Sequence, residues 1–189
     1  DATLGRVATV VAREAYDPTT VFTSMAREAA VLLDAHGGGV YRFDQDTAQL
    51  VGAWVSPTID APDEVLQATL PLDSDIALAK VARTRTPARV TFGDSDDPTR
   101  QRLAALGYSE SVAVPIHVGD ELWGAIGVAV TDERVLPRDA EALLMQFAAL
   151  GSMAIANAEA RAQLTAQASA DALTGLPNHR SFHQALARE

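Results

Sequence analysis

The run "ESVAVPIHVGDELWGAIGVAV", residues 110–130, limits the possible folds more than any other stretch of the chain. Val112, Val114, Ile116 and Val118 recur at the two-residue period of a strand, and a second apolar run follows from Glu121. Gly119-Asp120 between them is a two-residue hairpin connection. The intervening positions are mostly apolar or small as well, so both faces of this strand pair need cover. An antiparallel sheet flanked by other elements satisfies that requirement, which predicts an α+β fold.

The remaining chain supplies those elements. Leu4, Val7 and Val11 form a helical stripe too short to stand alone. Asp17-Pro18 opens a second helix, whose Phe22, Met25, Ala29 and Leu33 share a face until "HGGG" ends it. "GVYRFD" and "AQLVGAWV" read as strands joined by a turn at "QDT". Ser56 to Asp73 reads as a long, proline-containing loop of the kind that forms lids, with one helical turn at "DEVLQ". "SDIALAKVARTR" predicts a helix capped by Ser74, "PARVTF" a strand, and Asp97-Pro98 the start of another short helix. From Pro137 no proline intervenes until Pro177, so a helix running to about residue 169 would span roughly 50 Å. Its last turns carry Ala and Leu enough for a narrow two-helix seam but too few large side chains for a core.

Composition removes whole classes of function. The sequence has no cysteine, which excludes disulfides, thiolate metal sites, cysteine nucleophiles and thioether-linked cofactors. A net charge of −10 repels a phosphate backbone, so nucleic acid is not an expected partner. No run of eighteen apolar residues or signal-peptide pattern appears, and the expected setting is cytoplasmic, without a membrane. The missing initiator Met suggests that both ends are cut from a longer polypeptide.

No side-chain constellation announces chemistry. His117 has no second ligand at a metal-like spacing and reads as a strand residue, and His36 as the end of a helix. "GDSDD" lacks the alternation of a calcium loop and reads as a solvated cap. No catalytic triad, phosphate loop or carboxylate pair stands out, so no catalytic residue and no metal are expected.

The hairpin, followed by "DAEALLMQFAALGSMAIANA", resembles the C-terminal half of a GAF domain. Ser111, Pro115, Ile116, Gly119, Gly124, Ala154, Ile155, Asn157 and Ala158 carry the resemblance, which extends over about residues 18–158. It implies a GAF/PAS-like antiparallel sheet flanked by helices, with long signalling helices at either end. It also implies a ligand pocket between sheet and lid, at Trp54, Ser56, the segment Ile76 to Lys80, Tyr108 and Trp123. The residue set associated with cyclic-nucleotide-binding members is not present.

"DALTGLPNHRSF" closely resembles the first motif of a GGDEF diguanylate cyclase domain, through Asp171, Leu173, Thr174, Gly175, Asn178 and Arg180, with His179 in place of an arginine. These residues suit a helix break and a new cap, a structural role. The resemblance divides the chain into an N-terminal signalling helix (1–16), a GAF sensor (17–158), a linker helix (159–170) and the start of a GGDEF domain (171–189). The catalytic loop would lie beyond Glu189, so the fragment itself is expected to be no enzyme and to hold no cofactor beyond an unknown small molecule. GTP and Mg²⁺ would belong to the missing domain. A homodimer is implied, with Leu150, Ala154, Ala158 and Leu164 on the helix that relays the signal. The alternative is a ligand-free GAF scaffold that merely holds two output domains together.

Overall fold

The computed structural model describes residues 18–58, 69–131 and 134–169. The N-terminal helix expected over 1–16, the turn at "DEVLQ" and the motif Asp171–Arg180 lie outside the described residues.

Helix α1 (Pro18–Leu32) is followed by strands β1 (Gly37–Asp44), β2 (Thr47–Val55) and β3 (Thr69–Pro71). Helix α2 (Ala77–Thr84), strand β4 (Ala88–Thr91) and helix α3 (Pro98–Ala105) come next. The long strands β5 (Tyr108–Val118) and β6 (Glu121–Thr131) precede the terminal helix α4 (Ala140–Ser169). The strands form one sheet in the order β3-β2-β1-β6-β5-β4, and every pairing is antiparallel. Gly119 closes the β5–β6 hairpin at φ 60°, in the left-handed region where a glycine is unstrained.

The two faces of this sheet have different side-chain sizes. Val112, Val114 and Ile116 of β5 and Ile126, Val128 and Val130 of β6 point to α1 and α4, where Met25, Leu33, Leu144 and Phe147 complete the larger core. The alternate residues Ala113, Ala125 and Ala129 face α2 and belong to a second cluster with Ile76, Leu78, Val81 and Phe92. Both faces are thus covered, one thickly and one thinly.

Three local expectations need correction. The glycines of "HGGG" do not stop a helix: α1 ends at Leu32, and Gly37, Gly38 and Gly39 are already in β1. The reason is steric, because a β-carbon on Gly38 would stand 2.4 Å from the backbone oxygen of Ala26 in α1. Ser74 does not cap α2; its hydroxyl donates to the Pro71 carbonyl at 2.7 Å, and Ile76 occupies the N-cap without a side-chain bond. The region read as one loop contains the edge strand β3, three residues long and too short to show a period. Asp97 does cap α3, accepting from the Arg100 backbone N–H at 2.8 Å.

Helix α4 begins at Ala140 rather than Pro137 and, with 30 residues, is about 45 Å long. Its span Ala140–Thr165 is long and apolar enough, by composition alone, to cross a membrane. Its apolarity has another explanation: Leu144, Phe147, Ala148 and Ile155 are buried against the sheet.

Candidate functional site

Small residues on the α2 side of the sheet leave room above it. Gly37, Gly39, Ala53, Ser111, Ala113, Gly127 and Ala129 form the floor of a cavity of about 100 Å³. Its walls are Tyr41, Leu50, Leu70, Ile76, Leu78, Phe92, Leu103 and Tyr108. Among the described residues no Asp, Glu, Lys, Arg or His lines it.

Two phenols reach over the floor. A β-carbon on Gly39 would stand 2.9 Å from the Tyr41 hydroxyl, and one on Gly37 would stand 3.3 Å from that of Tyr108. The glycines therefore admit the two rings on one face of β1 while α1 packs against the other. Burial, then the neighbouring Tyr108, pushes the Tyr41 phenol up to about 12, and burial raises Tyr108 as well. Both are neutral hydrogen-bonding groups at pH 7. Among the described residues, neither hydroxyl nor that of Ser111 has a protein hydrogen-bond partner, and none of the three is sealed off.

Polar contacts outside the cavity hold its cover in place. Ile76, Ala77 and Leu78 face the cavity just after Asp75, whose carboxylate pairs with Lys80 at 3.1 Å and Arg100 at 2.7 Å. The Asp75 backbone N–H donates to Asp97 at 2.9 Å, and Arg83 donates to the carbonyls of Leu72 and Ser74, both at 3.1 Å. The hydrogen bond from Lys80, with Arg100 adding to it, holds the Asp75 carboxyl below the usual range.

Arg89 of β4 ties the sheet to the start of α4. It donates to both Glu141 carboxylate oxygens and to Glu110, each at 2.9 Å, and to the Pro137 carbonyl at 2.7 Å. Glu110 also accepts the Leu136 backbone N–H at 3.0 Å. The Arg89 hydrogen bonds hold the Glu141 carboxyl low. Val90, the next residue, belongs to the hydrophobic cluster on the cavity side of the sheet, so that cluster and the start of α4 are held by adjacent residues of one strand.

Of the positions expected in the pocket, Ile76, Tyr108 and Trp54 line the cavity. Trp54 also packs against the α1-side core. Trp123 lies on that side too, its ring centroid 5.4 Å from that of Phe22. Lys80 is engaged in the Asp75 ion pair, and the Ser56 hydroxyl meets Thr58 at 2.8 Å in the turn after β2. Sequence reasoning missed Tyr41 and the glycine and alanine floor; the available signal was the alternation of Val or Ile with Ala or Gly along β5 and β6. His36 is buried with Nδ1 accepting the Thr131 backbone N–H at 3.1 Å, which leaves its proton on Nε2. Among the described residues no group of three His, Asp or Glu side chains could hold a metal ion.

On α4, Leu150 and Ala154 are half-buried against the core, Ala158 is half-buried, and Leu164 is exposed. A different set faces outward: Ala142, Met145, Ala149, Met153, Ala156, Ala160 and Leu164 are all exposed. Their spacing of three, four and four, repeated, is an eleven-residue period that forms a nearly straight stripe. Met153 and Leu164 are 62% and 65% exposed, large values for such side chains.

A family model described as "GAF domain" matches residues 17–155. Among solved structures, a phycocyanobilin-bound GAF domain from a cyanobacterial phytochrome aligns with 85% of this chain and 95% of its own, at 20% identity and a TM-score of 0.69. The GAF domain of an Acinetobacter phosphoenolpyruvate-protein phosphotransferase aligns with 86% of this chain and 96% of its own, at 16% identity and a TM-score of 0.65. A far-red-absorbing dark-state protein with bound biliverdin aligns with 83% and 99%, at 19% identity and a TM-score of 0.65. These likenesses establish the fold. A comparison with curated protein sequences finds no match.

Proposed function

The chain belongs to the GAF family, and we propose that it is the sensory and dimerising part of a diguanylate cyclase, in which a small molecule in the cavity regulates cyclic di-GMP synthesis by a following GGDEF domain. The observation that carries the sensor reading is the cavity itself. A sheet face built only for a core would carry large side chains, as the α1 side does; here Gly37, Gly39, Ala113 and Gly127 keep space over it. The output rests on the resemblance of Asp171–Arg180 to the opening motif of GGDEF domains.

Bilins bound by two of the neighbours do not transfer to this chain. A linear tetrapyrrole has four rings, whereas the cavity measures about 100 Å³, and the sequence has no cysteine to tether one. The ligand is smaller and held without a covalent bond. GTP and Mg²⁺ belong to the downstream domain in the cytoplasm, and neither nucleic acid nor a membrane is a partner.

Joining two GTP molecules requires two catalytic domains to face each other, so their relative placement sets the rate. The exposed stripe on α4 suits a second copy of the chain, because an eleven-residue repeat of Ala, Met and Leu packs against its equivalent with little supercoiling. A ligand that favours one packing of the pair shifts the helices and thereby the output domains.

Native mass spectra of the purified chain, with collision energy raised stepwise and no ligand added, test the proposal. The expected result is a dimer carrying a defined extra mass that is released on activation. A dimer of bare chains would favour a ligand-free scaffold instead. A monomer would remove the helix-pair mechanism.

A further inference from the structure

We propose that the cavity selects an uncharged molecule the size of a single ring, apolar on its faces and hydrogen-bonded at its edge by the hydroxyls of Tyr41 and Tyr108. The inference rests on the sensor reading above and names the ligand class for that site.

Size comes first. At about 100 Å³ the cavity is of the order that holds one six-membered ring, since cavities of about 150 Å³ bind benzene. Charge comes next. An ion moved from water into a site without an opposite charge loses its hydration and gains little, and among the described residues no Asp, Glu, Lys, Arg or His lines this cavity. The nearest ion pairs, around Asp75 and Arg89, are directed to each other and to backbone carbonyls outside the lining. A carboxylate or phosphate ligand therefore has no counter-charge to meet among the described residues.

The polar edge follows from the two phenols. Both hydroxyls stand over the same face of β1, above positions two residues apart, a separation of about 7 Å along the strand. Neither is engaged by another protein group among the described residues. A phenol both donates and accepts, so the pair suits amide, hydroxyl or ring-nitrogen atoms at the rim of a planar molecule. A purely apolar ligand would leave both hydroxyls without partners in a water-poor site, which is unfavourable.

The test uses three probes of similar size on the 189-residue chain: benzamide, benzoate and toluene. Binding is followed by titration of the tyrosine ring signals in NMR spectra. Benzamide is expected to bind at least tenfold more tightly than benzoate. Tyr41→Phe and Tyr108→Phe should each weaken benzamide about tenfold, the worth of one hydrogen bond, while leaving toluene within twofold. These substitutions delete only an oxygen, and unchanged toluene binding verifies that the cavity persists. Benzoate binding as tightly as benzamide, benzamide binding unaffected by both variants, or no binding of any probe would each overturn the inference. A charged or larger mass released from the native dimer would overturn it too, yet leave the sensor reading standing; a bare chain that still binds benzamide through the two tyrosines would do the reverse.

Discussion

Three consecutive glycines in β1 do two jobs that a Cβ would obstruct. Gly38 faces α1, where an added β-carbon would meet the Ala26 carbonyl at 2.4 Å, a backbone atom that moves only with its helix. Gly39 faces the cavity, where the obstacle is the Tyr41 ring at 2.7 Å, a side chain that can swing aside. The two substitutions should therefore differ in kind. Gly38→Ala is expected to destabilise the fold by about 3 kcal/mol, the upper range for overpacking. Gly39→Ala should cost about 1 kcal/mol or less while weakening ring binding, because the displaced phenol enters the cavity. Urea denaturation of both variants, with a benzamide titration of the second, checks the contrast. Equal losses of stability would mean that β1 moves as easily as a tyrosine ring.

Among the elements, β4 stands out because one of its side chains, Arg89, ties the strand to the start of α4 while its neighbour Val90 packs in the cavity-side cluster. Arg89 is 28% exposed, as is Glu141, so their paired hydrogen bonds are partly shielded from water. Arg89→Ala is expected to cost about 2 kcal/mol, between the values for exposed and buried pairs. The pH dependence has a definite sign. Arg89 holds the Glu141 carboxyl below its ordinary value, so this stabilisation is fully present above the unfolded carboxylate pKa of about 4.3 and is lost as pH falls through the lower folded value. The stability difference between wild type and Glu141→Gln should thus be largest near pH 7 and shrink below about pH 4. Denaturation curves across that range decide it, and a difference independent of pH would remove the ion pair as its cause. Much of this level was legible in advance: Pro18 and Asp97 marked helix starts, and the period of Val112 to Val118 marked β5. The Arg89 clamp was not, because its partners are 21 and 52 residues away and no local pattern connects them. Tyr41 was missed for a related reason: the alternation along β1 puts Val40 and Tyr41 on opposite faces, but which face becomes the cavity is decided by elements distant in sequence.

At the scale of the molecule, α4 runs on beyond the domain it helps to build: its inward residues are buried or half-buried up to Ala158, while 159–165 are all exposed. An outward stripe with an eleven-residue period makes the phase of this extension testable. Inserting eleven helical residues after Arg161 turns the helix by about 20° beyond whole turns and, under the proposed diguanylate cyclase function, should preserve ligand-dependent output; inserting five turns it by about 140° and should abolish or invert it. Cyclic di-GMP production with and without ligand distinguishes these outcomes. Equal behaviour of both insertions would argue that α4 is only a tether. The sheet's unequal faces carry a consequence of another kind. Because cavity-facing and helix-facing residues alternate along β5 and β6, the two sets can drift separately through selection. Under the proposed sensor function, changes among Ser111, Ala113, Gly127 and Ala129 would retune which molecule is sensed, while Val114, Ile116, Ile126 and Val130 keep the packing against α1 and α4 fixed. On that reading, one protein lineage, or one engineer, could exchange the input signal and inherit the response intact.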